Sequence, residues 1–108
     1  MEPDYEKNAA LFKALSDPRR LKILELLRSG EKCTCILTKE LDLPQSSLSY
    51  HMGILTRAGL TQGREDGKWT HNRISREGSR AAMEVLARTL LVLPEAGGPV
   101  CLCQEEEA

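Results

Sequence analysis

The chain has 108 residues, of which 41% are hydrophobic, and its formal net charge is −1. This length predicts one domain. No apolar run approaches the ~20 residues that cross a bilayer, and the acidic start lacks the basic region and apolar core of a signal peptide. We therefore expect a cytoplasmic protein without a membrane partner. The charge is unevenly distributed, because residues 13–76 hold twelve Lys and Arg against seven Asp and Glu. A local basic surface is thus available for contacts with nucleic-acid phosphates.

Two amphipathic helices are predicted at the start of the chain. The first runs from Asp4 to Leu15, with apolar residues at three-to-four spacing. Ser16-Asp17-Pro18 then supplies a capping residue and a proline at the first position of the next helix. This second helix continues to about Arg28, and Gly30 ends it. We expect its inward face to consist of three leucines, Leu21, Leu24 and Leu27.

A short third helix and a longer fourth helix follow, and together they predict a helix-turn-helix. The third spans roughly Thr34 to Leu41 and ends before Leu43-Pro44, because proline disfavours helical geometry in the residue before it. The fourth spans about Gln45 to Ala58, and Gly59 ends it. Its expected buried stripe consists of Leu48, Met52 and Leu55.

Asp66-Gly67 between two strand-tolerant polar runs predicts a β-hairpin, and we expect Trp69 to pack under it. A helix-turn-helix followed by a basic hairpin is a winged helix. The expected fold class is therefore mainly α with a small β-hairpin, a winged helix-turn-helix.

A last helix is predicted from Glu77 to Leu93, with apolar residues on more than one face. Such a helix is either fully buried in the core or part of a dimer interface, and the small size of the domain favours the second interpretation. We therefore expect a homodimer through the terminal helices. Residues 1–93 would form the DNA-binding and dimerisation domain, and residues 94–108 a flexible, acidic, cysteine-containing tail.

The polar residues at the start of the fourth helix are candidates for DNA contacts. In helix-turn-helix proteins this part of the second helix meets base edges in the major groove. Gln pairs with adenine there, and hydroxyl groups bind bases or phosphates. A solvated helix face is the alternative for any one residue, but the set precedes a basic hairpin and so favours operator DNA. The candidates on this helix are Gln45, Ser46, Ser47, Ser49, Tyr50 and His51, and Arg57, Arg64 and Lys68 are candidate phosphate contacts.

Four cysteines occur as two Cys-x-Cys pairs, Cys33/Cys35 beside the helix-turn-helix and Cys101/Cys103 in the tail. Without an export signal, metal binding or redox chemistry explains them better than a disulfide framework. The alternatives are ordinary buried small residues for the first pair and no function for the second. We do not expect an enzyme or a catalytic cofactor, because the sequence has no glycine-rich phosphate loop, no paired-acid site and no nucleophile with an identifiable base.

Five segments of the chain together carry a family resemblance. They are Leu15-Ser-Asp-Pro-Arg-Arg-Leu-Lys-Ile-Leu24, Cys33-Thr-Cys35, Gln45-Ser-Ser-Leu-Ser-Tyr-His-Met52, Ala58-Gly-Leu60 and Arg64-Glu-Asp-Gly-Lys68. With these segments the chain resembles the ArsR/SmtB family of metal-sensing repressors, in its arsenite-sensing branch. The resemblance covers about residues 8–93 and implies a homodimeric winged helix that binds double-stranded operator DNA and releases it when a metal or metalloid binds. The implied inducer is arsenite or antimonite, As(III) or Sb(III), or another soft thiophilic metal or metalloid.

The resemblance also implies a thiol site. Arsenite-responsive members carry Cys-x-Cys-x-x-Cys at the start of the third helix, so that Cys33 and Cys35 match two ligands while Thr38 occupies the third position. A hydroxyl is a poor ligand for a soft ion, and the tail pair Cys101/Cys103 is a candidate source of the missing sulfur. The zinc-sensing branch uses histidines of the last helix, where this chain has none. His51 is then a DNA contact or a packed residue rather than a metal ligand.

The spacing of the first cysteine pair suggests how a ligand would act. Residues two apart on an α-helix point roughly 200° away from each other. With Cys33 and Cys35 both in the third helix, one ion would bind both only after the first turn bends or unwinds, which would shift the fourth helix on the DNA. Two other functions remain open. One is a thiol-redox-responsive repressor, and the other is a metal-binding or protein-interaction module without an operator.

Overall fold

Five helices and a three-stranded antiparallel sheet form the fold across residues 2–94 and 97, which the computed structural model describes. None of these helices is long and apolar enough to cross a membrane. The tail cysteines Cys101 and Cys103 lie outside the described residues. In chain order the elements are α1 (Tyr5–Leu15), α2 (Pro18–Leu27), β1 (Lys32–Cys33), α3 (Thr34–Leu41), α4 (Gln45–Arg57), β2 (Thr61–Asp66), β3 (Trp69–Ile74) and α5 (Arg76–Leu90).

Each of the first two helices begins directly after an aspartate that caps it. Asp4 caps α1 by accepting a hydrogen bond from the backbone N–H of Lys7 at 3.0 Å. Asp17 caps α2 by accepting from the N–H groups of Arg19 (2.8 Å) and Arg20 (3.4 Å), and the helix starts at the following proline. An oxygen in this position satisfies N–H groups that have no partner within the helix. The predicted start of α2 is thereby confirmed.

The inward face of α2 differs from the prediction at one position. Leu21 is 52% exposed, whereas Ile23 and Leu27 are buried and Arg20 occupies the remaining inward place. Residues three or four apart lie on the same face of a helix, so the burial of Arg20, Ile23 and Leu27 turns Leu21 outward. An arginine at a buried position carries no apolar signal, and the sequence pattern therefore pointed to the neighbouring leucine.

The helix-turn-helix consists of α3 and α4. A left-handed residue, Asp42 with a φ of 52°, ends α3, and Pro44 directly precedes α4. The predicted inward residues of α4, Leu48, Met52 and Leu55, are buried as expected. They pack into one core with residues from the preceding helices and the start of the wing, namely Leu11, Ala14, Ile23, Leu27, Leu37 and Leu60.

The hairpin of β2 and β3 forms the wing, and its turn lies one residue later than predicted. Asp66 still pairs with Trp69, so that residues 67 and 68 form the two-residue turn. Gly67 has a φ of +64°, which suits the first position of such a turn. The third strand, β1, was not predicted. It has only two residues, and the antiparallel pairing of Cys33 with His71 attaches it to β3.

The last helix, α5, lies on the outside of the described chain and has no buried residue. Met83 is 63% exposed, Leu86 46% and Leu90 70%. The interpretation of α5 as a fully buried core helix is therefore wrong for the single chain. The helix also ends at Leu90, three residues before the predicted end. An exposed apolar stripe of this kind typically marks a surface that a partner covers.

Candidate nucleic-acid interface and thiol site

Five of the predicted DNA contacts lie at the start of α4. Gln45, Ser46, Ser49 and Tyr50 are exposed, and Ser47 is half-buried. The helix contains no acidic residue, so no carboxylate of α4 itself would repel a phosphate. The N-terminus of a helix also presents unpaired N–H groups and the positive end of the helix dipole. This end of α4 is therefore suited to an anionic polymer.

The sixth predicted contact on α4, His51, lies inside the protein. It is 2% exposed, and its Nδ1 is 2.9 Å from Nη1 of Arg20. Burial, followed by the nearby Arg19 guanidinium, lowers the pKa of His51 below its ordinary value. Position 51 is three residues after Leu48 and four before Leu55, which places it on the buried stripe. His51 is thus a packed residue, and its interpretation as a DNA contact is corrected.

The basic candidates have different surroundings. Arg57 is exposed at the far end of α4. Arg64 on β2 binds Glu31 with Nη2 2.6 Å from Oε1, and this ion pair lowers the pKa of the glutamate. Lys68 in the wing turn places its Nζ 5.6 Å from the ring centroid of Trp69. Trp69 is 50% exposed, so the prediction that it packs under the hairpin is wrong. Its place beside the turn, at the end of the wing, keeps it away from the core.

The thiols of Cys33 and Cys35 meet at the start of α3. Cys33 is the residue before the helix and has an extended backbone, with φ −67° and ψ 145°. Its side chain is therefore not forced to the opposite side of the helix, and the Cys35 thiol donates a hydrogen bond to the Cys33 sulfur at 2.9 Å. The two side chains would point apart only if both residues were helical, and this condition is not met because α3 begins at Thr34. Cys35 is exposed and Cys33 is half-buried.

This hydrogen bond makes the two thiols unequal acids. Donation from Cys35 lowers the pKa of Cys33, and the backbone N–H groups of Cys35 and Ile36 at the start of α3 act in the same direction. The same hydrogen bond raises the pKa of Cys35. The first proton is therefore lost from Cys33, and the thiolate is the form that binds soft ions and reacts with oxidants.

A cavity of about 450 Å³ connects the thiol pair to residues that were predicted to contact DNA. Besides the two cysteines, it is lined by Gln45 and Ser49 of α4 and by Lys68 and Trp69 of the wing. Thr38 also lines it, but its hydroxyl donates to the Cys35 carbonyl oxygen at 2.9 Å. Across residues 2–94 and 97, no group of three or more His, Cys, Asp or Glu side chains could hold a metal ion. The structure thus brings two predicted ligands together with three predicted DNA contacts.

The contacts that join the thiol segment to the wing were not predicted from the sequence. The side-chain amide of Asn72 on β3 is buried and donates to Thr34 Oγ1 at 3.0 Å. The backbone of Cys33 pairs with His71, and Glu31 binds Arg64. No local signal identifies these partners, because they are more than thirty residues apart in the chain. The thiol pair, the wing and α4 form one connected site.

Comparisons with known proteins agree with this architecture. Residues 17–62 match the family model described as bacterial regulatory protein, arsR family. An uncharacterized HTH-type transcriptional regulator of Methanocaldococcus jannaschii is 47% identical over 66 residues, which are 60% of this chain and 74% of that protein. The arsenical resistance operon repressor of Escherichia coli is 46% identical over 66 residues, which are 60% of this chain and 56% of the repressor. The chain thus spans little more than half the length of that repressor.

The fold also has a counterpart among solved structures. Mb0332 from Mycobacterium bovis is a homodimeric winged helix-turn-helix DNA-binding domain and a possible ArsR-family transcriptional regulator. Its solution structure matches with a TM-score of 0.66 and 26% identity, over 82% of this chain and 87% of that chain. The winged helix-turn-helix and these similarities show that the chain belongs to the ArsR family of DNA-binding transcriptional regulators and is not an enzyme.

Proposed function

We propose that this protein represses transcription in the cytoplasm by binding operator DNA, and that it releases the operator when As(III) or Sb(III) binds Cys33 and Cys35. The observation that carries the proposal is the cavity, in which two sulfurs 2.9 Å apart line the same space as Gln45 and Lys68. A ligand bound there would adjoin both the helix and the wing that meet DNA. The names of the similar arsenical resistance operon repressors support this class of inducer.

The chemistry of the pair suits a trivalent arsenic or antimony species. Soft thiolates are the preferred protein ligands of soft ions. With arsenous acid, each thiol forms a sulfur–arsenic bond, and its proton leaves with one arsenic-bound hydroxyl as water. Two thiols therefore release two waters and leave one hydroxyl on arsenic. Cys33 reacts first, because its pKa is the lowered one of the pair.

The third position on arsenic has two candidate ligands. Thr38 lies at the corresponding sequence position, but its hydroxyl is a poor ligand for a soft ion and already donates to the Cys35 carbonyl. Cys101 and Cys103 lie outside the described residues, and we propose that one of them supplies a third sulfur. Replacement of both tail cysteines by serine should then weaken the response to arsenite without weakening DNA binding.

The route from the thiols to DNA runs through the wing. Two sulfurs bonded to one arsenic cannot keep their S–H···S hydrogen bond, and we propose that the backbone of Cys33 shifts as the sulfurs rearrange around arsenic. That backbone pairs with His71 of β3, and a shift of β1 therefore moves the wing and Lys68. Coupling between two sites is typically about 1–3 kcal/mol, which corresponds to a severalfold to more than hundredfold loss of affinity.

Operator binding itself is assigned to the surface of α4 and the wing. We propose that the exposed residues at the start of α4 contact bases or phosphates in the major groove, and that Arg57, Arg64 and Lys68 contact phosphates. The residues on α4 are Gln45, Ser46, Ser47, Ser49 and Tyr50.

A homodimer would present two copies of α4 to DNA. The apolar stripe of α5 is exposed in the single chain, and Tyr5 of α1 is 72% exposed. We propose that α1 and α5 pack against the same helices of a second subunit, as the homodimeric state of the similar M. bovis domain supports. The two recognition helices would then meet half-sites about 34 Å apart, one turn of DNA.

The test is a titration of fluorescently labelled DNA. A duplex selected by the protein from a random pool serves as the operator, and fluorescence anisotropy measures affinity with and without arsenite. We expect arsenite to weaken binding by the wild type and to leave the double variant Cys33→Ser, Cys35→Ser unaffected. Equal arsenite responses of the two proteins, or no response of the wild type, would contradict the proposal.

Thiol oxidation is a second candidate trigger, favoured by the close approach of the two sulfurs and the lowered pKa of Cys33. Oxidation by one peroxide would join two thiols in a disulfide and release two waters. Release of DNA from the metal-free protein by peroxide, reversed by a reductant, would support this candidate. A protein that shows no salt-sensitive DNA binding at all would instead be a metal-binding or protein-interaction module.

A further inference from the structure

Arg20 is a buried cation that no carboxylate neutralises among residues 2–94 and 97. It is 8% exposed, and the nearby Asp17 pairs with Arg19 instead. The guanidinium donates to the Ala14 carbonyl oxygen through Nε at 2.7 Å and to the Lys13 carbonyl oxygen through Nη2 at 3.3 Å. Both carbonyls belong to the last turn of α1, which is the negative end of the helix dipole. The buried charge of Arg20 is therefore compensated by the end of α1.

The third partner of Arg20 lies on α4. Nη1 of Arg20 is 2.9 Å from Nδ1 of His51. A guanidinium has only donors, so Nδ1 must accept, and the proton of the neutral ring is on Nε2. One guanidinium thus joins the end of α1 to the middle of the helix that presents Gln45 and Ser49. This hydrogen bond anchors the middle of α4 and therefore constrains the rotation of the helix about its axis. The rotation decides which residues α4 turns toward DNA.

We propose that Arg20 and His51 are positioning residues for operator binding. The neutral His51 ring accepts the hydrogen bond from Arg20 and holds α4 in its DNA-binding orientation. Protonation of His51 removes the acceptor, places a second cation beside the buried guanidinium, and releases the operator. This proton-dependent release is separate from the thiol site and needs no inducer.

The groups around His51 set the direction of the effect. Burial lowers the pKa of His51, Arg19 and Arg20 lower it further, and Asp17 opposes them. All three charges come from the first turn and cap of α2, and the Tyr50 ring packs edge-on at 5.2 Å. The helices α1 and α3 and the strand β2 also pack against α4. In the described part of the chain, no charged side chain of these three elements contributes to the shift in the pKa of His51.

The lowered pKa of His51 determines whether operator affinity rises or falls with pH. The contribution of neutral His51 is fully present above the ordinary imidazole pKa of about 6.5 and is lost as the pH falls through the lowered value. Operator affinity should therefore decrease on acidification. Protonation of other groups makes the protein more positive and strengthens attraction to phosphates. A decrease in affinity is thus opposite to the general electrostatic effect, which makes it diagnostic.

Four proteins test the proposal by anisotropy titrations from about pH 7.5 to about pH 5.5, within the range where circular dichroism shows an intact fold. We expect the wild type to lose about tenfold in affinity on acidification. His51→Asn keeps an acceptor near the Nδ1 position but does not titrate. It should bind more tightly than His51→Leu and lose no affinity in acid. Arg20→Lys keeps the charge, but its single ammonium group cannot bridge α1 and α4 as the guanidinium does. This variant should therefore bind the operator weakly at every pH.

The proposal is overturned if wild-type affinity stays constant or rises while the His51 ring titrates, or if His51→Asn is as acid-sensitive as the wild type. The ring titration is followed by NMR of the wild-type protein labelled at histidine. This measurement decides the matter even if the leucine variant does not fold. By linkage, saturating operator DNA must shift the His51 titration to lower pH, and an unshifted titration also refutes the proposal.

Discussion

Replacement of Gly78 by alanine tests how α5 is attached to the DNA-binding part of the fold. A Cβ at Gly78 would overlap the carbonyl oxygen of Gly59 and lie 2.8 Å from its carbonyl carbon and 3.2 Å from Ser75 Oγ. Gly59 follows α4 with a φ of +83°. The overlapping atoms are backbone, so they cannot move aside as a flexible side chain would. Alanine at position 78 must push α5 away from the end of α4.

The expected loss of stability in Gly78→Ala is the difference between two opposing effects. Overpacking of a closely packed site costs about 1–3 kcal/mol, and a Cβ that overlaps backbone atoms places Gly78→Ala at the upper end of this range, about 3 kcal/mol. Alanine in a helix gains roughly 0.5–1 kcal/mol over glycine, so the net loss is about 2 kcal/mol. A domain of this size loses about 4–8 °C in Tm per kcal/mol, and we expect Gly78→Ala to melt about 8–16 °C below the wild type.

The assay is thermal unfolding followed by circular dichroism at one fixed protein concentration, because the Tm of an oligomer depends on concentration. Gly53→Ala is the matched control. A Cβ at Gly53 would meet only the flexible Arg57 side chain, with Nη1 at 3.2 Å, and the helix preference of alanine should raise the Tm. A Gly78→Ala protein that melts with the wild type or above it would refute the close approach of α5 to Gly59.

Three further predictions concern the site and the assembly. Glu31→Gln frees Arg64 to contact a phosphate, so operator binding should strengthen at low salt. The slope of log affinity against log salt concentration should steepen by about one. Glu25→Gln, which removes the same charge beside Arg28, should change neither quantity, and equal behaviour of the two variants would contradict the reasoning. Cys35→Ala removes the donor that lowers the pKa of Cys33. The pH profile of Cys33 alkylation should then move to higher pH, because a lowered pKa preserves the reactive thiolate as the pH falls, and an unchanged profile would argue against the hydrogen bond. The double variant Leu86→Glu, Leu90→Glu places charges on the apolar stripe of α5 and should sediment as a monomer that binds operator weakly, whereas Glu84→Gln on the same helix should remain dimeric. A charged double variant that stays dimeric would place the interface elsewhere.

Much of the helical fold could be predicted from local signals. The caps at Asp4 and Asp17 set the starts of α1 and α2, and Pro44 separates α3 from α4. These residues act on their immediate neighbours through hydrogen bonds and backbone sterics, so their effect is visible in sequence. The same holds for the glycine of the wing turn, although the strand pairing decided which two residues form that turn.

The candidate site was predictable in its residue types but not in its geometry. The sequence predicted the start of the third helix near Thr34, but only the structure shows that Cys33 pairs with His71, keeps an extended backbone and brings its sulfur to that of Cys35. From the sequence, His51 was a DNA contact or a packed residue, and only its hydrogen bond with the buried Arg20 across the core explains its burial. Neither contact has a local signal, because each joins residues more than thirty positions apart.

The sequence by itself thus determined the order of the elements, the helix-turn-helix with its polar first turns, and the family to which its motifs point. Those properties depend on period, capping and composition, which act over a few residues. The tertiary structure alone decided that the thiols line one cavity with Gln45 and Lys68, that His51 is a packed residue, and that α5 is left uncovered. Each of these properties depends on which distant segments of the chain contact one another. Those contacts are determined by the burial of apolar side chains, which is complete only when the whole core is packed.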